Sequence, residues 1–410
     1  MSFSGIIRTD VLVIGGGAAG LAAAAAAADV GVRVVLVESE RLGGILCRCI
    51  HDGFGLTAYG ESLTGPEYAS REIAKLEGRR NVDIIIGTVT SLSSALSAEV
   101  VSEGGCFEVR ARAVVLATGS RERAFGSLDI GGTRPAGIFT AGAAQRIVNE
   151  DGMSVGRRIV ILGSGDIGLI MARRFTLEGA KVEAVLEIAP RPGGLARNVA
   201  QCLGDFRIPL ELSTTVTEVY GYPRIEGVVA AKVDEDRRII PGTERRIACD
   251  ALVLSVGLIP VVNLLPGAAV DPATGGAEVD SRFMTTAAGV FSCGNALHIN
   301  DLADNVSAEG AAAGRSAALF AIGRLEEADT VTVTAGENVA SVVPRRIAVG
   351  EEATVWVRLK KSLVGTLAFR DADGYNVKDK KGAMAPNEMI AVTLAPSQTT
   401  RPLTVSAEEA

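Results

Sequence analysis

Apolar and polar positions divide the chain into a strand, turn, helix and strand unit that occurs twice. The first copy opens with Val11-Leu-Val-Ile14, then Gly15-Gly-Gly-Ala-Ala-Gly20, an alanine-rich stretch, and Val32-Arg-Val-Val-Leu-Val-Glu38. A short apolar run bounded by glycine reads as a buried strand, and the alanine-rich stretch as a helix of strong helix formers. The second copy runs Arg158-Ile-Val-Ile-Leu162, Gly163-Ser-Gly-Asp-Ile-Gly168, a helix to about Leu177, and Lys181-Val-Glu-Ala-Val-Leu-Glu187. Gly15, Gly17 and Gly20 match Gly163, Gly165 and Gly168 at an offset of 148, and Glu38 matches Glu187 at 149. Ala18 and Ala19 stand in one turn where Asp166 and Ile167 stand in the other.

A further buried strand follows each unit and ends in small residues: Ala113-Val-Val-Leu-Ala-Thr-Gly-Ser120 and Ala251-Leu-Val-Leu-Ser-Val-Gly257. Later, Gly289-Val-Phe-Ser-Cys-Gly-Asn295 supplies another strand and a small turn ahead of a helix. Beyond Glu326 the pattern changes to alternation. Thr330-Val-Thr-Val-Thr, Thr354-Val-Trp-Val-Arg-Leu-Lys and Met389-Ile-Ala-Val-Thr-Leu read as strands, with turn signals at Asp371-Ala-Asp-Gly-Tyr and Lys380-Lys-Gly. They predict a small β-sandwich-like module with Trp356 in its core.

Composition sharpens this picture. At 410 residues, two or three domains are expected, and 48% hydrophobic with 22% charged residues is ordinary for a globular chain. A net charge of −7, scattered basic pairs such as Arg79/Arg80 and Arg237/Arg238, and only 4% aromatics argue against nucleic-acid binding. The 18 uncharged residues from Val11 to Ala28 have the length of a membrane span. Asp10 and Asp29 bracket them and glycines interrupt them, so strand, turn and helix are the better use and no transmembrane segment is expected. The 6 cysteines are dispersed, which predicts no disulfide framework. A reducing cytoplasm is the simplest setting, or a membrane-peripheral place there held through a partner.

Each part of the repeated unit has a physical task. The first glycine permits the tight turn, the second lets the backbone approach a pyrophosphate, and the third lets helix and strand pack closely. The helix N-terminus offers unpaired N–H groups to phosphate. The acid closing the second strand can accept from ribose hydroxyls. The expected fold class is α/β, with two Rossmann-like, three-layer dinucleotide-binding domains and a small C-terminal β module.

On these residues the chain resembles the pyridine nucleotide–disulfide oxidoreductase superfamily over about residues 8–325. The resemblance implies that the first G-x-G-x-x-G binds FAD and the second NAD(P)H. It carries over Gly15, Gly17, Ala18, Ala19, Gly20, Glu38, Gly44, Ala117, Thr118, Gly119, Gly294 and Asn295 to FAD. To NAD it carries Gly163, Gly165, Asp166, Ile167, Gly168, Glu187 and Gly257. Most members have Asp where Asn295 stands; an amide still hydrogen-bonds a hydroxyl. The implied layout is an FAD-binding domain in two pieces, 1–122 and 270–327, an NAD(H)-binding domain, 123–269, and the β module, 328–410.

Two stretches narrow the resemblance. Thr133-Arg-Pro-Ala-Gly-Ile-Phe-Thr-Ala-Gly-Ala-Ala-Gln145 is similar to the NAD(P)/FAD-binding subunits of opine oxidase, hydrogen cyanide synthase and related amine dehydrogenases. Gly43-Gly-Ile-Leu-Cys-Arg-Cys-Ile-His-Asp-Gly-Phe-Gly55 resembles bacterial FAD-dependent oxidoreductases that accompany a glycerol-3-phosphate-dehydrogenase-like flavoprotein and a small cysteine-containing protein. These imply a subunit passing electrons between NAD(H) and a partner FAD-containing dehydrogenase acting on a small polyol phosphate, amine or opine; a homo-oligomer is compatible with it. The opine-oxidase-like subunits often end in a cysteine-rich iron–sulfur module, which this chain, without cysteine after Cys293, does not share.

The implied reaction is hydride transfer between nicotinamide and flavin, which needs no catalytic triad, because the cofactors carry the chemistry. A helix N-terminus following Asn295 would stabilise negative charge on reduced flavin. Glu187, followed by Ile188, Ala189 and Pro190 with no base before Arg191, favours NADH over NADPH. Cys47, Cys49 and His51 are the catalytic candidates outside the cofactors. They lie in the segment where the superfamily's disulfide reductases carry C-x-x-x-x-C, but a C-x-C spacing closes only a strained ring. Two uses stay open: a reactive thiol whose pKa His51 lowers, or two small residues packed beside flavin. Zinc-type ligation lacks a fourth ligand, so no metal is expected. His298 is the other histidine placed near flavin, and Cys293 reads as a small buried hydrophobe. The alternative functions are a stand-alone NADH-dependent thiol, disulfide or peroxide reductase using Cys47/Cys49, and a dinucleotide-binding module without turnover.

Overall fold

The structure is a computed structural model and describes residues 5–410. The chain divides into two compact units, one made of residues up to Ser120 with Pro260–Ala410, the other of Arg121–Ile259. Residues 260–269 therefore belong with the first unit.

The first unit is built on an eight-stranded sheet. Its parallel part runs Val290–Ser292, Ala113–Leu116, Val11–Ile14, Val34–Glu38 and Val82–Leu92. An antiparallel meander, Val82–Leu92, Ser97–Ser102 and Gly105–Arg110, extends it, and Ile6–Arg8 adds a parallel edge. Strands buried on both faces need continuous apolar runs, and Val11–Ile14, Val34–Glu38 and Ala113–Leu116 are buried at every position. The helix Ala18–Asp29 is buried through Ala28, which accounts for its being apolar all round. Among the described residues no helix is long and apolar enough to cross a membrane. The apolar run from Val11 is used by this strand and helix.

The helix Ala303–Ala321 lies along Ala18–Asp29 at backbone contact. A Cβ on Gly310 would fall 2.1 Å from the Ala19 carbonyl oxygen, and one on Gly314 would fall 2.1 Å from that of Ala23. Only small residues fit this seam.

The second unit repeats the plan with a five-stranded parallel sheet. Its order is Ile138–Thr140, Ala251–Leu254, Arg158–Leu162, Lys181–Leu186 and Leu210–Glu211. The helix Asp166–Leu177 follows the second glycine turn. An antiparallel meander of Thr214–Tyr220, Gly227–Lys232 and Arg245–Ala248 covers one face, with Val216, Val228 and Ile247 packed against Leu162 and Leu254.

Residues 330–409 form two sheets. One runs Arg346–Ala348, Thr330–Ala335, Leu403–Glu409, Leu363–Asp371 and Asn376–Met384; the other runs Val339–Val343, Ala353–Leu359 and Ile390–Leu394. They enclose a core of their own that includes Val333, Val355, Leu367, Phe369 and Val392. Trp356 is not in that core. Along Ala353–Leu359, alternation turns Ala353, Val355, Val357 and Leu359 inward and Thr354, Trp356 and Arg358 outward. Trp356 is half-buried against the core beneath the first glycine turn, its ring 6.0 Å from that of Phe283. Such a pair adds about 0.5–1.5 kcal/mol beyond the area it covers. Ion pairs join the same two parts of the first unit: Arg345 to Asp271 at 2.8 Å, Arg358 to Asp301 at 2.8 Å, and Arg282 to Glu351.

Candidate functional site

Two carboxylates organise the two glycine turns, and they do so atom for atom. Glu38, at the end of its strand, accepts the Gly16 N–H at 2.6 Å on Oε2 and the Glu40 N–H at 2.8 Å on Oε1. Glu187 accepts the Ser164 N–H at 2.9 Å on Oε2 and the Ala189 N–H at 2.9 Å on Oε1. Ser164 adds its hydroxyl to Glu187 at 2.6 Å. Both acids are buried, and a charge-assisted bond to backbone N–H fixes the curve of each turn. Carboxylate oxygens have further lone pairs, so each can still accept from a hydroxyl.

Glycine is required where each turn meets the third strand. Gly15 has φ +102°, and a Cβ there would stand 2.4 Å from the Ala117 carbonyl oxygen; Gly163 has φ +97° and would stand 2.1 Å from that of Ser255. Ala117 and Ser255 are themselves held by N–H bonds to Ile14 at 2.9 Å and Leu162 at 2.7 Å. Thr118 donates its hydroxyl to Val261 at 2.7 Å, and the Ser255 hydroxyl accepts the Gly168 N–H at 3.1 Å. Gly119 and Gly257 close the two strands that carry these residues.

The helix starting at Ala18 is preceded by Gly17, has no side-chain cap and has no acid in its first turn. Its free N–H groups and partial positive charge are thus open to an anion. The second helix starts at Asp166, an acid that would oppose a phosphate. Asp166 Oδ1, however, accepts from the Leu195 N–H at 2.8 Å and from Asn198 Nδ2 at 2.6 Å, which holds the carboxylate toward the following loop. Ile167, next along, is half-buried against the unit's core.

A glycine pair reaches each turn. The Gly43 N–H donates to the Gly16 carbonyl at 2.8 Å, and a Cβ on Gly44 would lie 3.2 Å from Gly17 Cα. In the second unit the Gly193 N–H donates to the Ser164 hydroxyl at 2.8 Å, and a Cβ on Gly194 would meet Asp166. Sequence reasoning selected Gly44 and missed Gly193-Gly194, although the pairs repeat at an offset of 150.

The late turn forms a third part of the first unit's site. After Val290–Ser292, Gly294–Ala296 makes one tight turn, but the helix expected directly after Asn295 begins only at Ala303. The residues between are shaped by side chains instead. Glu309, fully buried on that helix, accepts the Gly294 N–H at 2.9 Å, pairs with His298 Nε2 at 2.6 Å and accepts from Asn300 Nδ2 at 3.2 Å. Asn295 Oδ1 accepts the Asn300 N–H at 2.9 Å, which leaves its amide nitrogen to donate. The Asn300 side-chain oxygen is buried with no partner among the described residues, an acceptor ready for a ligand hydroxyl. Gly294 lies against Ala19, so this turn and the first helix N-terminus belong to one site.

Cys47, Cys49 and His51 lie on the segment after Gly44. Neither cysteine is in a disulfide, both are half-buried, and Cys47 Sγ donates to the Leu42 carbonyl at 3.3 Å. His51 Nδ1 meets the Asp52 carbonyl at 3.0 Å and its ring lies tilted against that of Phe54, 5.0 Å between centroids. Cys293 is fully buried and its thiol is pushed well up by desolvation; burial also pushes Cys249 up to about 12. Under native conditions, alkylation at mildly alkaline pH should modify Cys47, Cys49 and Cys106, while Cys202, Cys249 and Cys293 react only after denaturation. Peptide mapping by mass spectrometry checks this, and native labelling of Cys293 would contradict the burial described.

A family model, Pyridine nucleotide-disulphide oxidoreductase, matches residues 9–341. The chain belongs to this family. It is an FAD-dependent oxidoreductase, and FAD and NAD(P)H are the cofactors of its family. It is 29% identical over 353 residues to an opine oxidase subunit from Agrobacterium tumefaciens (strain Ach5), covering 79% of this chain and 67% of that one. It is 29% identical over 272 residues to the alpha subunit of sarcosine oxidase from Corynebacterium sp. (strain U-96), covering 63% of this chain and only 27% of that larger one. Among solved structures, T. acidophilum thioredoxin reductase shares the two-Rossmann-domain fold, with a TM-score of 0.63 at 24% identity, covering 77% of this chain and 99% of that one.

Proposed function

We propose that this chain is the electron-transfer component of a heteromeric dehydrogenase, moving a hydride between NAD(H) and FAD while a partner flavoprotein oxidises a small polyol phosphate, amine or opine. The observation that carries this reading is the duplicated constellation: an uncapped helix N-terminus, a buried carboxylate on the turn and an apposed glycine pair, present once in each unit. Bound FAD supplies the two-electron chemistry. This chain's residues would bind and orient. In the first unit, the N–H groups after Gly17 take the pyrophosphate and Glu38 an adenosine ribose; Asn295 and Asn300 offer a donor and an acceptor to the ribityl hydroxyls. In the second unit, the turn from Gly163 to Gly168 takes the NAD phosphates. Glu187 accepts from the ribose and would repel a 2′-phosphate, supporting NADH over NADPH.

Exposed apolar surface beside the Cys47–His51 segment supports a partner. Nearby, Ile45 and Leu56, each 52% exposed, and Ile50 and Leu302 present apolar surface; Asp304, accepting the Gly55 and Thr57 N–H groups, brings Leu302 to the Leu56 loop. The opine and sarcosine oxidase relatives are likewise subunits of larger enzymes by name.

Anaerobic NADH should bleach the flavin absorption of the purified protein, with NADPH less effective by about tenfold or more from like-charge repulsion at Glu187. Cys47→Ser and Cys49→Ser variants should keep NADH-to-dye activity within about twofold, since neither thiol enters the flavin half-reaction. Flavin that no nicotinamide reduces would overturn the reading. Disulfide or peroxide reduction lost with either cysteine would favour a thiol reductase instead.

A further inference from the structure

We infer that the C-terminal β module is a cofactor clamp: Trp356 and Arg358 reach out of it to hold the segment that presents Gly294 and Asn295 to FAD. The inference rests on FAD occupying the first unit as proposed above. It starts from alternation in Ala353–Leu359, which turns Trp356 and Arg358 away from the module's own core.

The Trp356 ring meets His298 edge-on at 5.9 Å. Arg358 Nη2 donates to the Ile299 carbonyl at 3.1 Å and pairs with Asp301 at 2.8 Å. The other Asp301 oxygen accepts the Met389 N–H at 2.7 Å, from a second segment of the module. The module thus grips His298, Ile299 and Asp301 by ring, guanidinium and backbone at once. From there the contacts continue inward: His298 to Glu309, Glu309 to the Gly294 N–H, and the Asn300 N–H to Asn295 Oδ1.

No regular helix supports residues 297–302, which lie between the tight turn and the helix at Ala303. A segment without its own backbone ladder keeps one conformation only if neighbours supply partners. Here the module supplies them from one side and Glu309 from the other. Trp356 and Arg358 are therefore positioning residues, acting on flavin through the 294–301 segment.

The test uses the full chain and FAD itself, with Arg358→Ala, Arg358→Lys and Trp356→Ala. Arg370→Ala, which breaks the module's exposed Arg370–Glu408 pair, serves as control. Arg358→Ala and Trp356→Ala should each raise the FAD dissociation constant about tenfold and alter the visible circular dichroism of bound flavin. Arg358→Lys, which keeps the charge facing Asp301, should recover much of both. Arg370→Ala should match the wild type in both. If FAD affinity and flavin dichroism in Arg358→Ala and Trp356→Ala equal those of Arg370→Ala, the clamp is overturned while the cofactor reading stands. A wild-type chain that takes up no FAD overturns both.

Discussion

Gly20→Ala should purify without flavin. A Cβ at this position would stand 1.7 Å from the Gly15 carbonyl oxygen and 2.9 Å from its carbonyl carbon, inside the turn that the substitution must preserve. The obstacle is backbone, with no rotamer to move aside. Relief requires the helix N-terminus to withdraw from the strand, and that carries the phosphate-facing N–H groups away from their positions. A shift of this kind should weaken FAD by about a thousandfold, equivalent to about 4 kcal/mol, and leave apoprotein at working concentrations. The matched substitution in the second unit is milder. A Cβ on Gly168 would meet the Ser255 side chain at 2.7 Å and the Gly163 oxygen at 2.9 Å, so Gly168→Ala should retain flavin and lose NADH-driven bleaching. Flavin content per chain and anaerobic titration with NADH separate the two, and full flavin in Gly20→Ala would refute the packing argument.

The second large effect falls on Glu309. Its carboxylate is the shared partner of the Gly294 N–H, His298 and the Asn300 amide, and it is withdrawn from water. Removing one member of a buried, hydrogen-bonded charged group leaves the others unpaired, at a cost of about 3–5 kcal/mol. Glu309→Ala should therefore lower the melting temperature by roughly 10 °C and release FAD on gel filtration. Glu309→Gln keeps the volume and one acceptor but presents a donor to one neighbour, so its loss should be smaller. Equal stability of Glu309→Ala and wild type would mean that this carboxylate does not organise the late turn.

The doubly wound architecture is legible in the sequence because each unit is local. A buried strand, a glycine turn and a helix lie within about thirty residues, and periodicity with turn chemistry reads that scale well. Duplication then turns a weak motif into a strong one. What escapes is assembled across the chain. Glu309 sits in Ser-Ala-Glu-Gly-Ala, where an acid on a helix ordinarily faces solvent; it is buried because its helix lies along Ala18–Asp29, a fact of tertiary packing. His298 is expected near the cofactor, but its partner lies across a helix start, where no spacing rule connects them. Trp356 departs from expectation for a simpler reason. Size and hydrophobicity argue for the module's core, while its own alternation with Thr354 and Arg358 places it on the opposite face, and the alternation prevails.

The alanine and glycine seam between Ala18–Asp29 and Ala303–Ala321 has a thermodynamic consequence. Alanine and glycine have no rotamers to lose, so bringing these helices together costs almost no side-chain entropy. The same poverty of side chain means little apolar area is removed from water per residue, and the contact depends on dispersion between closely apposed backbones. Such a joint has one geometry and no adjustable parts. Because it joins the helix that begins at the first glycine turn to the helix that carries Glu309, both sides of the candidate flavin site inherit a spacing set by main-chain atoms alone.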